Sequence, residues 1–285
     1  MSDLEITEKD LASYHGDDPK LSRDLVRFRL AQALESPKGI LRFMHRHTYW
    51  NGYFGCGVAS LAGKIGRSRG LFTDADETFA ATADRSVLVA SYFFDAARDE
   101  FDDHETPERD PHRCLAQATL KGTAHWCAGE LAMQPEAIQA PPLPHWLRAL
   151  GDKVATGYGA GSRDDATSAF RAMGYHLGSE VLADNEFSVI DELLREKAPE
   201  LVAYLDRTNI RIADQSHNAY TWIRIHSGGG GAVEADHFDW ATKGVRIALH
   251  YTQPEERHAL REQALLGYND FVHDHREFFQ RVNLT

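Results

Sequence analysis

Residues 165–196 read DATSAFRAMGYHLGSEVLADNEFSVIDELLRE. A period of 3.6 residues gathers Met173, Leu177, Ala183 and Phe187 on one side of a long helix, with Glu180 in the middle of that side. A buried carboxylate without a partner is costly, so a metal, a cation or a hydrogen-bond network must face it. The alternative is a rotated helix with Glu180 in water, and Asp184 and Glu186 are nearby rivals for the inward position.

Working outward, the same period recurs along almost the whole chain. It predicts helices over 21–36, 38–65, 83–103, about 111–133, 143–157, 198–226, 233–251 and 254–281. In 21–36 the inward residues are Leu21, Leu25, Phe28 and Ala31. In 38–65, glycines 52, 55, 57 and 63 weaken the helix and point to close packing against another element. The clearest connector is QAPPLPHW at 139–146, too short to demand two domains. The expectation is an irregular segment over 1–20, then a single all-α bundle over 21–285.

Bulk properties exclude several classes. The chain has 285 residues, 42% hydrophobic and 26% charged, with a net charge of −12. Nucleic acid and anionic membranes both attract basic patches, so neither is an expected partner. The start, MSDLEITEKD, is acidic and polar, unlike a signal peptide. No apolar run approaches the roughly 20 residues of a membrane span. Cys56, Cys114 and Cys127 show no CxxC spacing, so a reducing cytoplasm is the expected location.

Ionisable residues on apolar faces mark the chemistry. In 83–103, Phe93, Ala96 and Ala97 share a face with Glu100. Asp99, Asp102 and Asp103 add negative charge where the helix dipole is already negative, which a nearby cation would offset; plain solvation of this acidic end is the alternative. His112 follows the loop and could swing back toward Glu100. In 233–251, Glu234 and His237 are i,i+3 and share a face with Val233, Trp240 and Ala241. An inward Glu-x-x-His pair is a known way for a bundle helix to hold a metal. His226 lies with Trp222 and Ile223, where it would alone be an ordinary core histidine. The six residues offer three carboxylates, three imidazoles and no thiolate, which suits iron or manganese better than structural zinc. The glycine run between His226 and Glu234 lacks the Gly-Lys-Ser/Thr of a phosphate loop, since Ala232, Val233 and Glu234 follow it. It instead breaks the helix between two candidate ligands.

Three stretches, FFDAARDEFDDHETPERDPHRCL (93–115), GYHLGSEVLADNEF (174–187) and IHSGGGGAVEADHF (225–238), resemble the heme-oxygenase-like di-iron oxidases and oxygenases. The resemblance spans roughly 38–275. It implies a heme-oxygenase-like bundle of about seven core helices, with Glu100, His112, Glu180, His226, Glu234 and His237 as ligands of two iron ions. It departs from the family where His226 and Glu234 stand eight residues apart rather than four, and Asp236 could replace Glu234. The implied cofactors are two Fe2+ with O2 as cosubstrate, and the implied partners are a small-molecule substrate and an external electron donor. N-oxygenation of a small amine, guanidine or amino acid is the first expectation, in specialised metabolism. Oxidative C–C cleavage or desaturation of an amino acid or fatty acid is the second. Tyr175, Asp184 and Glu186 are candidate contacts for a cationic substrate, and Arg224 for a carboxylate. A homodimer is the expected assembly.

Three rivals remain open. A heme-binding oxygenase would use His45 or His47. A thiamin-salvage hydrolase would need Cys56 or Cys127 as nucleophile, with no activating partner evident from spacing. A non-enzymatic ligand- or partner-binding protein would pair its acids with Arg42, Arg46 or Arg224.

Overall fold

The computed structural model describes residues 5–7, 9–11, 19–104, 106, 108–228 and 233–284, apart from the side chains of 19–21, 184 and 233–237. Among these residues the chain forms twelve α-helices and one short hairpin, and it is all-α in class. In order they are α1 (Pro19–Ala33), α2 (Pro37–Asn51), α3 (Phe54–Arg67), α4 (Ala80–Ala83), α5 (Ser86–Phe101), α6 (His112–Glu130), α7 (His145–Gly157), α8 (Ala166–Lys197), α9 (Pro199–Asp206), β1 (Asn209–Ile212), β2 (Gln215–Asn218), α10 (Thr221–His226), α11 (Val233–His250) and α12 (Arg257–Arg281). None of the described helices is long and apolar enough to cross a membrane.

Helix α8 is the axis of the bundle. Asp165 caps it by accepting from Ser168 N at 2.8 Å, and its 32 residues span about 48 Å at 1.5 Å per residue. Helices α3, α11 and α12 all pack on it, and α11 also reaches α5. The approach of α12 is so close that only glycine fits. A Cβ on Gly174 would stand 1.7 Å from the Ala264 carbonyl oxygen, and one on Gly267 would stand 1.8 Å from that of Arg171. Beside this crossing, Trp50 stacks on Phe278 at 4.3 Å between ring centres, within a cluster that includes Phe271 and Phe279.

Four expectations need correction. The helix expected over 198–226 is four elements, helices α9 and α10 with strands β1 and β2 between them, because Ile210 alternates inward between exposed Asn209 and Arg211, and Ala213 turns the chain at φ 52°. That period-2 pattern covers only four residues per strand. Segment 38–65 breaks at Gly52 and Tyr53 into α2 and α3, and the helix expected over 83–103 is α5, which starts at Ser86 after the separate turn α4. Helix α1 is rotated from its expected face: Val26, Leu30 and Ala33 are buried while Phe28 is exposed. Ion pairs from Arg23 and Arg27 to Glu192 on α8 accompany that rotation. Finally, the described part of 1–20 is not loose. Ile6 and Leu11 are buried, Asp10 accepts from the Thr7 backbone N–H, and Arg261 of α12 ion-pairs with Asp10 at 2.8 Å.

Of glycines 52, 55, 57 and 63, three meet a neighbour closely: Gly52 meets Arg113, Gly55 meets Glu100 and Gly57 meets Tyr158. Gly63 has open space beside it.

Candidate metal centre

Glu100 comes from the last turn of α5, and His112 opens α6 after a loop that doubles back. Arg109 takes a left-handed conformation at φ 55° to make that reversal and contacts Asp102 and His104. Thr106 Oγ accepts from Asp110 N at 2.7 Å, and Asp110 lies 2.9 Å from the buried His217 of β2, so the hairpin braces the loop. The fold thereby carries His112 Nδ1 to 3.4 Å from Glu100 Oε1, an ion-pair distance without hydrogen-bond alignment.

His226, at the end of α10, completes the group. Glu100, His112 and His226 offer three ligand atoms within 4.8 Å of one another, the one such group among the described residues. The His112 and His226 rings meet edge to face at 4.7 Å. Each imidazole has its outer nitrogen tied down, as metal-bound histidines require. His226 Nδ1 donates to the Trp222 carbonyl at 2.8 Å, so Nε2 is its ligating nitrogen. His112 Nε2 lies 3.2 Å from Asp103, itself buried, which leaves Nδ1 on the Glu100 side.

Glu180 of α8 lines the same cavity, about 30 Å³ in size, with Glu100, His112, His226, Asn51 and Tyr158. Its Oε1 lies 3.3 Å from Nδ1 of His176, one turn earlier on α8. Phe54, Val58 and Phe187 supply apolar wall, and Phe187 stacks on His226 at 4.5 Å. Tyr158 and Ser179 share a hydrogen bond of 2.8 Å at the cavity edge.

Electrostatics follow from this crowding. Burial pushes the Glu100 carboxyl pKa up, but the His112 charge outweighs it and the result lies below the ordinary value. Burial pulls the His112 imidazole down, yet Glu100 and Asp103 raise it to about 10. For His226, burial and the neighbouring His112 act together and lower it to about 4. A neutral His226 is the form that binds a metal. Two carboxylates and two imidazoles around one small cavity, with fixed outer nitrogens, fit a hard or borderline divalent ion.

The other candidate residues lie elsewhere. Side chains of Asp184, Glu234, Asp236 and His237 fall outside the described residues, though 234 and 237 are helical positions of α11. Trp240, expected on their face, is 42% exposed, whereas Ala241 is buried. Tyr175 hydrogen-bonds Asp274 at 3.0 Å and borders a separate surface groove between α7, α8 and α12. Arg224 is exposed and pairs with Asp206, because α10 turns it away from the cavity. Glu186 is buried but does not line the cavity: its two oxygens accept from His47 Nε2 at 2.8 Å and His275 Nε2 at 2.9 Å.

Several residues named for the rival readings have other partners. His47 is fully buried, bonded to Glu186 and ringed by Phe43, Phe187, Trp222, Phe278 and Phe279. Burial raises the Cys127 thiol to about 12, and its Sγ contacts the Pro37 carbonyl. Arg42 and Arg46 donate to carbonyls of residues 282–284, so they do not pair with buried acids.

His176 and Asp103 were not singled out as site residues from sequence. Only the i,i+4 spacing of His176 to Glu180 could have signalled the first; nothing distinguished Asp103 from its acidic neighbours. No family model, curated protein or solved structure matches the chain, so the geometry of its own residues carries the reading of the site.

Proposed function

We propose that the protein is an O2-dependent non-heme di-iron oxygenase built on a heme-oxygenase-like bundle, acting by N-oxygenation on a small amine, guanidine or amino acid. The carrying observation is the convergence of Glu100, His112 and His226 within 4.8 Å on a buried cavity that Glu180 also lines. In this reading Glu234 and His237 of α11 supply the remaining ligands. Two ferrous ions bound there would supply O2 activation and the electrons for oxygen transfer.

The residues of the chain do the rest. Glu100 and Glu180 bring the negative charge that offsets two divalent ions. Asp103 and the Trp222 carbonyl hold the two imidazoles in the ligating orientation. Phe54, Val58 and Phe187 keep bulk water from the centre. Tyr158 holds a phenolic proton at the cavity edge, where Ser179 fixes its direction. Carboxylates, Asn51 and hydroxyls along the wall favour a cationic nitrogen group over a carboxylate in the substrate.

The test is aerobic turnover of iron-loaded protein with a panel of small amines, guanidines and amino acids, read by mass spectrometry. Substrate-dependent O2 uptake with a product heavier by one oxygen supports the reading. O2 uptake with C–C cleavage or desaturation products would move it to the second chemistry, and no turnover with bound iron would oppose it.

A further inference from the structure

The groove between α7, α8 and α12 holds about 660 Å³, within the roughly 300–1,000 Å³ of small-molecule sites. Tyr175 borders it, and the Tyr175 hydroxyl donates to Asp274 Oδ2 at 3.0 Å. Asp274 is mostly buried, which pushes its carboxyl pKa up and makes it a better proton acceptor than a surface carboxylate. The Tyr175 ring also meets the Tyr158 ring edge to face, at 5.4 Å between centres. Tyr158 in turn lines the metal cavity with Glu100, Glu180, His112 and His226. Two phenol rings in contact thus join groove to cavity.

Close packing holds both rings in place. A Cβ on Gly57 would stand 2.4 Å from Tyr158 Cδ2, and one on Gly157 would stand 2.4 Å from Tyr175 Cε2. We propose that Tyr175 is a redox relay, passing one electron at a time to the metal centre from a small enediol or hydroquinone reductant in the groove. Tyr175 gives one electron across the Tyr158 ring to the oxidised centre, and its hydroxyl proton to Asp274. The products are a neutral phenoxyl radical, a centre reduced by one electron, and a protonated Asp274. The reductant then gives one electron to the phenoxyl, Asp274 returns the proton, and the oxidised reductant sheds its own proton to water.

The proton acceptor and the groove decide which tyrosine serves. An oxidised phenol is strongly acidic and needs a base within hydrogen-bond reach. Tyr158 meets one only at a remove: its hydroxyl bonds Ser179 at 2.8 Å, and Ser179 Oγ lies 3.4 Å from the His176 imidazole. Tyr175 bonds its carboxylate directly, and it also borders the groove where a reductant arrives. Thr156, Ser168, Lys153 and Asp270 on the groove wall suit a small reductant rich in hydroxyls. This inference rests on the metal-centre reading, and its test separates the two.

Ferrous-loaded protein is mixed with O2 without substrate, freeze-quenched, and examined by EPR, with iron oxidation followed optically in the same samples. The expected result is a free-radical signal that narrows in protein grown on ring-deuterated tyrosine. It should vanish in Tyr175→Phe, fall at least tenfold in Asp274→Asn, and persist in Tyr158→Phe, which keeps a ring in the path. Added ascorbate should quench it at a rate that rises with ascorbate concentration. Iron that oxidises without a tyrosyl radical, a radical that survives in Tyr175→Phe, or one indifferent to ascorbate overturns the relay and leaves the metal reading intact. Absence of iron uptake or oxidation overturns both. Should Tyr175→Phe lose its iron, Asp274→Asn decides the matter; an undiminished signal there rejects the relay.

Discussion

Gly55 of α3 faces Glu100 of α5, and a Cβ at residue 55 would stand 2.7 Å from Glu100 Oε2 and 2.9 Å from its Cβ. The missing side chain is therefore the space in which the carboxylate sits. Gly55→Ala should push Glu100 away from His112 and weaken ferrous-ion binding by at least about tenfold, in the range seen for disturbed metal surroundings. Metal titration would show this, with circular dichroism to confirm an unchanged helical content.

Asp103 holds His112 without touching the cavity. Asp103→Asn keeps the shape but weakens the hold on the imidazole, so metal affinity should fall by about 10–100-fold. Equilibrium dialysis would measure it. Asp102→Asn is the natural control, since Asp102 pairs with Arg109 at the surface and should leave affinity within about threefold of the native value.

Glu186 gives a pH signature of its own. Burial raises its pKa, but hydrogen bonds from His275 and His47 overcome that and hold it at about 2, against 4.5 for the free side chain. A carboxylate with a lowered folded-state pKa stabilises above its unfolded pKa and loses that contribution as pH falls through the folded one. Stability should thus decline between about pH 4.5 and pH 2 through this residue. Glu186→Gln should be less stable near neutrality and show a shallower decline over that window, as followed by urea unfolding at stepped pH.

The sequence carried the all-α class because the 3.6-residue period is strong in the long helices, and Glu180 stood out as charge on such a face. It could not rank inward positions on α8, which is buried nearly all round: Tyr175, His176, Leu182, Glu186 and Val189 are all inside. Hence the sequence suggests Glu186 as a substrate contact, whereas the fold makes it a clamp for two imidazoles. His47 and His275 lie over two hundred residues apart, so no local spacing joins them to Glu186. The hairpin at 209–218 was invisible because four-residue strands are too short to set a period. His226 illustrates the opposite case: with Trp222 and Ile223 buried beside it, it looked like core, and only the return of the loop before α6 brings His112 to it.

Iron content after anaerobic ferrous loading and desalting tests the central claim most directly, compared among native protein, Glu180→Ala and His226→Ala. The account expects two irons per chain in the native protein and a loss of at least half in either variant with the fold retained. Native protein that keeps no iron, or variants that keep as much as the native chain, would contradict it.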